Sequence, residues 1–226
     1  MTLRKGIVLD FGGVLTTALL PAALAFEQRE GLPAGALLTS LYLDPEGVRR
    51  TQELERGTLT QTEWNEAAGR SLGVPHDNLM GRIFADLLPE HSVIEAAAAA
   101  RRAGIKVGVL SNSVGRSPWD LYHGYELEGL YDAVVVSEDH GLRKPEPEIF
   151  RLMLDMLDLP AEECVFVDDT ESYLPPAAGL GFATVHAVRP DRTIAELEAL
   201  LGIPLAAQSS PARPVPLAGR SAVALS

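Results

Sequence analysis

As a string of apolar and polar positions, the chain divides into four zones. It opens with a short β-branched run, Ile7-Val8-Leu9, followed by Asp10 and the Gly12-Gly13 pair, which predicts a central strand covered on both faces and then a sharp turn. Residues 18–90 show helical periodicity broken by Gly and Pro, predicting short amphipathic helices in 18–31, Leu37–Gly47, 48–57, 60–74 and 76–89. Within them Thr60 and Glu63 have the spacing of a capping box, and Trp64, Ala67, Ala68, Ser71 and Leu72 share one helical face. From His91 onward strand and helix patterns alternate. A helix through 92–104 ended by Gly104 precedes a strand over 105–112, a polar loop with a helix in 117–129, a strand over 131–139 and a helix over 149–159. A strand over 164–171, a helix through Ala177 and Ala178, a strand over 182–188 and a helix over 193–202 follow. This alternation predicts an α/β fold with a doubly wound parallel sheet. Residues 1–17 and 91–205 form its core, and residues 18–90 are expected as an inserted small α-helical lid. Residues 206–226, rich in Ala, Pro and Ser with Arg213 and Arg220 as their only charges, predict a flexible tail.

Composition narrows the function classes. At 226 residues, 46% hydrophobic and 22% charged, the chain can bury a sizeable core. A net charge of −12 argues against a nucleic-acid or anionic-membrane partner, both of which require clustered Lys and Arg. The first apolar run is short and interrupted by Asp10, which does not match a signal peptide, so a cytoplasmic location is expected. No uninterrupted apolar run approaches the roughly 18 residues of a membrane span. Cys164 is the only cysteine, which excludes an intrachain disulfide and a multi-cysteine metal site; ahead of Val165-Phe166-Val167 it is read as a buried, inert thiol. Oligomeric state has no signature in the sequence.

The chemistry gathers at the predicted strand ends. Asp10, the pair Ser111 and Asn112, Lys144, and the pair Asp168 and Asp169 each lie just past or between apolar runs, and in a parallel sheet those ends converge on one crevice. Three carboxylates beside one lysine repel one another unless a cation and an anionic ligand share the crevice. Oxygen-only ligands suit Mg²⁺, which binds through one or two carboxylates plus substrate phosphate. A hydroxyl, an amide and an ammonium can hold phosphate oxygens, and Asp10 is then a plausible nucleophile toward phosphorus.

Four motifs carry a family resemblance: Leu9-Asp10-Phe11-Gly12-Gly13-Val14-Leu15-Thr16, Val109-Leu110-Ser111-Asn112-Ser113, the stretch Gly141 to Phe150 around Lys144, and Val165-Phe166-Val167-Asp168-Asp169-Thr170. Over roughly residues 4–203 the chain resembles the haloacid dehalogenase superfamily, whose members are mostly phosphatases with a Rossmann-like core. The resemblance implies Asp10 as nucleophile and metal ligand, the Gly12 carbonyl as a further ligand, and Asp168 and Asp169 as Mg²⁺ ligands, Asp168 directly or through water. Ser111, Asn112 and Lys144 would bind the transferring phosphoryl group, and residues 18–90 would be a cap that sets specificity. The implied substrate is a small phosphorylated metabolite, processed through an aspartyl phosphate.

One position departs from the family pattern. Typical phosphatases of the superfamily carry Asp-x-Asp in the first motif, the second Asp serving as general acid and base, and here Gly12 stands in its place. Such catalysis is worth about 10² to 10⁴ in rate. Substrates with good leaving groups, such as acyl phosphates or anomeric sugar phosphates, would suffer least, and a cap residue could replace the missing acid. Gly12 keeps two alternatives open: a weak or inactive member that binds a phosphorylated ligand or a protein, and a metal-independent 2-haloacid dehalogenase. Phe26, Arg29, Tyr42, Trp64 and Arg82 are the candidate specificity residues of the cap, with Trp64 expected in its core, and His140 is the first candidate for a substitute acid.

Overall fold

The computed structural model describes residues 4–205; the expected tail, 206–226, lies outside the described residues. Five strands form one sheet: β1 Gly6–Leu9, β2 Lys106–Ser111, β3 Ala133–Val136, β4 Cys164–Asp168 and β5 Ala183–His186. All pairings are parallel and the order is β3-β2-β1-β4-β5, which puts β1 at the centre where the winding direction reverses. Leu9 pairs with Val109 on one side and Val167 on the other, so the carboxyl ends of β1, β2 and β4 are level.

Between β1 and β2 lie α1 (Leu19–Glu30), α2 (Ala36–Leu38), α3 (Pro45–Glu55), α4 (Gln61–Leu72) and α5 (Leu79–Ile83). The remainder alternates with the sheet: α6 (His91–Arg102), α7 (Leu127–Leu130), α8 (Pro147–Leu157), α9 (Leu174–Gly179) and α10 (Pro190–Leu201). Side chains of successive strand residues point to opposite faces, and both faces are covered, which is why the strands read as continuous apolar runs. Ile7 and Leu9 join Val107, Val109, Val165 and Val167 under α6 and α10. Val8, Leu110, Val135 and Phe166 pack on the other face against Ile149, Phe150, Met153 and Leu157 of α8 and Ala177 of α9. Cys164, fully buried in that second layer, has its thiol pushed up to about 12 by desolvation, so the inert reading stands.

The helical block over α1–α5 has an apolar cluster of its own, formed by Phe26, Leu37, Leu41, Leu54, Trp64, Ala68, Leu79, Met80 and Ile83. Thr60 caps α4 with the reciprocal Glu63 contact that the spacing predicts. Glu27, buried in the block, accepts the N–H groups of Gly35 and Leu37 at 2.8 and 2.7 Å and so ties α1 to the start of α2. Two antiparallel connectors join block and sheet: Thr17 N–H donates to Leu88 at 2.8 Å and Glu90 N–H to Leu15 at 2.9 Å, around a Thr16–Pro89 bridge. Among the described residues, no helix is long and apolar enough to cross a membrane.

Two sequence expectations are corrected. Of the helix expected in 117–129, only the start of the four-residue α7 at Leu127 is helical, and the rest is turns. Pro118 and Gly124 break the repeat, and the aromatic residues that suggested a helical face are used singly. Tyr122 and Tyr125 each meet Phe11 edge-to-face at 4.7 Å. The helix expected over Leu37–Gly47 is instead α2 followed by a π-helical turn, Thr39–Leu43, and a new start at Asp44, whose carboxylate accepts Gly47 N–H at 2.8 Å with Pro45 in the first turn.

Candidate active site

Asp10 is the first residue past β1, its N–H still bonded to Val167 at 2.9 Å, so its carboxylate stands at the sheet's switch point. Asp168 ends β4 and Asp169 follows it. One carboxylate oxygen from each of Asp10, Asp168 and Asp169 lies within 4.8 Å of the others. Lys144, 1% exposed, reaches this group from the loop after β3 and bridges it, with Nζ 2.8 Å from Asp10 Oδ1 and 2.6 Å from Asp168 Oδ2. Phe11 N–H also donates to Asp10 Oδ1, at 2.7 Å. Thr170 N–H donates to Asp168 Oδ1 at 2.8 Å, and Thr170 Oγ1 to Asp169 Oδ1 at 3.2 Å.

The electrostatics follow from burial. Desolvation pushes Asp10 up to about 8, the charges of Asp168 and then Asp169 add to the rise, and Lys144 opposes it. Asp169 is raised for the same reasons, desolvation first and Asp168 second. Lys144 is raised despite its own desolvation, because two carboxylates hold its proton. The group therefore carries more negative charge than one lysine balances.

The sheet brings the other predicted residues to the same place. Asn112 and Lys144 are locked to each other, Lys144 N–H donating to Asn112 Oδ1 at 2.8 Å and Asn112 Nδ2 to the Lys144 carbonyl at 3.2 Å. Ser111 Oγ accepts the Tyr122 hydroxyl at 2.9 Å, and its own proton reaches the Asn112 carbonyl in a long bond of 3.4 Å. Gly12 and Gly13 form the turn over the carboxylates. Gly13 has φ +73°, and a Cβ there would stand 2.2 Å from Asp169 Oδ2, so only glycine fits. A cavity of about 260 Å³ opens beside Gly13 and Asp169, whereas a wider groove of about 490 Å³, lined by Arg101, Lys106 and Asp132, lies at the opposite end of the sheet.

The residues proposed from the helical block divide. Phe26 and Trp64 are core. Arg29 pairs with Asp86, and Arg82 pairs with Glu30 at 2.5 Å and donates to the Pro75 carbonyl at 2.7 Å. All four hold the block together. Tyr42 is different: 57% exposed, it still feels the charges of Glu55, Tyr173, Asp169 and Arg143, and crowding keeps its phenol protonated. His140 is exposed, just past a short 3-10 turn, and takes no part in the bonded network around Asp10 and Lys144.

Several contacts at the crevice had no signal in the sequence. Glu55, nearly buried at the end of α3, is salt-bridged to Arg143, whose Nη2 is 3.4 Å from the Tyr173 hydroxyl; that hydroxyl also accepts Asn112 Nδ2 at 3.3 Å. Gln61, 2% exposed, donates to the carbonyls of Val114, Gly115 and Trp119 at 2.9, 3.1 and 2.9 Å, while its Oε1 accepts Trp119 N–H at 2.9 Å. Arg56 pairs with Glu146. These three side chains of the block fasten it to loops of the core.

Residues 4–181 match the model of the haloacid dehalogenase-like hydrolases. The chain belongs to that family. This hydrolase is 28% identical over 219 residues to mouse acyl-CoA dehydrogenase family member 10, covering 93% of this chain and 20% of the relative. It is 30% identical over 216 residues to mouse bifunctional epoxide hydrolase 2, covering 85% and 38% respectively. The hydrolase thus spans well under half the length of these relatives. It is also 31% identical over 104 residues to glyceraldehyde 3-phosphate phosphatase of Methanocaldococcus jannaschii, 46% of each chain. Among solved structures, the HAD family enzyme bt-2542 of Bacteroides thetaiotaomicron in its magnesium complex superposes with a TM-score of 0.62 at 19% identity, covering 81% of this hydrolase and 93% of that chain. A dehalogenase superposes at 0.58 and 22% identity, covering 81% and 84%. At these identities the structural likeness is one of fold.

Proposed function

We propose that this hydrolase is a Mg²⁺-dependent phosphatase of a small phosphorylated metabolite, working through an aspartyl phosphate on Asp10. The observation that carries the reading is the cluster of three carboxylates within 4.8 Å, bridged by a buried lysine at the strand ends. The donor set fits a hard cation: it is all oxygen, it is partly buried, and it carries negative charge that Lys144 leaves unbalanced. Asp10, Asp168, Asp169 and the Gly12 carbonyl would hold the ion, and when bound it would neutralise phosphoryl oxygens.

The chain's own residues supply the remaining steps. Lys144 and Phe11 N–H both bond Asp10 Oδ1, which orients the carboxylate and assigns the attack on phosphorus to Oδ2. Ser111 Oγ, which accepts from Tyr122 and makes only a long 3.4 Å bond to the Asn112 carbonyl, turns its proton to a phosphoryl oxygen. The Asn112 amide holds the Lys144 backbone N–H and carbonyl and so fixes the loop whose ammonium faces the anion. In the second half-reaction water attacks the aspartyl phosphate and Asp10 returns as carboxylate. Residues 18–90 act as the cap, excluding water and touching the part of the substrate that does not react, with exposed Tyr42 as its candidate specificity side chain.

Phosphate release from a panel of phosphorylated metabolites, with and without Mg²⁺, tests the proposal. Metal-dependent release that falls by at least about 10³-fold in Asp10→Asn supports it. Release that survives Asp10→Asn, or halide release from 2-haloacids without metal, overturns it.

A further inference from the structure

The Asn112 amide has no proton left for a ligand. A primary amide offers two N–H protons and one carbonyl oxygen. Here Oδ1 accepts Lys144 N–H at 2.8 Å, while Nδ2 donates to the Lys144 carbonyl at 3.2 Å and to the Tyr173 hydroxyl at 3.3 Å. The side chain expected to meet the phosphoryl group is thus fully engaged by its neighbours, and one of those neighbours is a second hydroxyl.

Tyr173 is placed by the same strand as the acidic pair. It closes the short 3-10 turn Glu171–Tyr173 that follows β4 and is partly exposed. Its ring centroid lies 5.4 Å from Lys144 Nζ, and that ammonium is 2.8 Å from Asp10 Oδ1. The Tyr173 oxygen accepts twice, from Asn112 Nδ2 and, at 3.4 Å, from Arg143 Nη2. A phenol has one proton of its own, and among the described residues no acceptor takes it. The two incoming donors, one of them a guanidinium, polarise the oxygen and strengthen the bond its proton can give. Burial and the charge of Glu55 keep the phenol in its protonated form.

A phosphate dianion presents only acceptors, so it is held by protons that have no better partner. At the strand ends these are the Lys144 proton not directed at Asp10 or Asp168, the Ser111 proton with its long 3.4 Å bond, and the Tyr173 proton. Resting on the phosphatase reading, we infer that Tyr173 contacts the substrate in place of the Asn112 amide, its hydroxyl donating a hydrogen bond to an oxygen of the bound phosphate. Asn112 and Arg143 are the positioning residues behind it. No proton is transferred: the phenol stays protonated through both half-reactions and acts by binding charge that the phosphate carries from the start. An interaction made equally in the ground state and the transition state appears in KM rather than in kcat.

The test uses the full chain with Mg²⁺ and Tyr173→Phe, which keeps the ring beside Lys144 and removes the hydroxyl. KM on the best substrate of the phosphate panel should rise by about 10- to 100-fold, the range for losing a hydrogen bond to a charged acceptor, with kcat changed far less. Inhibition by inorganic phosphate should weaken by a similar factor. Tyr173→4-aminophenylalanine restores an N–H donor of the same shape but a poorer acceptor, and it should recover most of both losses. Unchanged KM and unchanged phosphate inhibition in Tyr173→Phe overturn the inference and leave the phosphatase reading intact. So does a loss that 4-aminophenylalanine fails to restore, or one confined to kcat, since either would make the hydroxyl an acceptor that only holds Asn112 and Arg143. If neither variant folds, the structure of the natural protein with Mg²⁺ and inorganic phosphate decides: Tyr173 Oη is expected within about 3 Å of a phosphate oxygen, and a separation beyond about 4 Å overturns the inference. Absence of Mg²⁺-dependent release from every member of the panel overturns the phosphatase reading itself, and the inference with it.

Discussion

At the strand ends, Lys144 holds Asp10 and Asp168 in near-complete burial, whereas in the helical block above them Arg29, Arg49 and Arg82 meet their acidic partners on or near the surface. The two regions spend charge differently. Exposed pairs such as Arg49–Glu53 are screened by water and salt and serve mainly to suit the block to water. The buried group is costly to assemble, because desolvation of its charges exceeds what a single lysine returns. A fold keeps such an arrangement when the charge has a use, and a crevice at a sheet's switch point is where a ligand can share it. The block meets the strand ends through Leu19, which lies beside Gly12, and is fastened to the core by Gln61.

The largest effect should come from breaking the buried group. Lys144→Met leaves Asp10 and Asp168 without their shared partner, and a loss of about 3–5 kcal/mol in urea unfolding is expected, partly recovered by added Mg²⁺. If the variant is as stable as the natural protein, the contrast between buried and surface charge fails. Gln61→Ala should cost less, about 1–3 kcal/mol, since it strands three carbonyls and the Trp119 N–H near the junction of block and core. Because those groups join the two regions, hydrogen exchange should rise at 114–119 and at the start of α4 while the sheet stays protected.

A third measurement concerns the carboxylates alone. With Asp10 raised to about 8, Mg²⁺ must displace its proton at lower pH, so calorimetric affinity should weaken as pH falls, by up to about tenfold per unit between about pH 8 and about pH 6. An affinity that does not change over that window would mean Lys144 keeps Asp10 ionised throughout. The smallest effect belongs to the surface of the block. Thr60→Ala removes the acceptor of Glu63 N–H and should cost about 1 kcal/mol, with phosphate release unaffected.

The strand ends were legible because parallel strands covered on both faces announce themselves as apolar runs, and the polar residue after each run can only emerge at one edge. Asp10, Ser111, Asn112, Lys144, Asp168 and Asp169 were found that way, and the structure brings all six together. The block was legible as helices but not as a surface. Phe26, Arg29, Trp64, Arg82 and Tyr42 look alike as aromatic or charged residues on helical segments, and only packing separates the four used internally from Tyr42. Tyr42 is turned outward by the π-helical turn Thr39–Leu43, which the break at Asp44 and Pro45 ends. The 117–129 segment misled for a related reason: its aromatic residues serve Phe11 and Ser111, partners more than 100 positions away or on another strand.

What the sequence determined by itself is the strand-end side of the site, since strand periodicity, the Gly12-Gly13 turn and residue order place Asp10 and its neighbours at one edge of the sheet. Gly12 also declared in the sequence that a carboxylate is missing. What stands in the space beside it was decided by tertiary structure alone, because the approach of Leu19 to Gly12 depends on how the Thr16–Pro89 connectors seat the block over the strand ends. Local propensity makes α1 a helix, but which of its side chains meets the crevice is set by packing between distant segments.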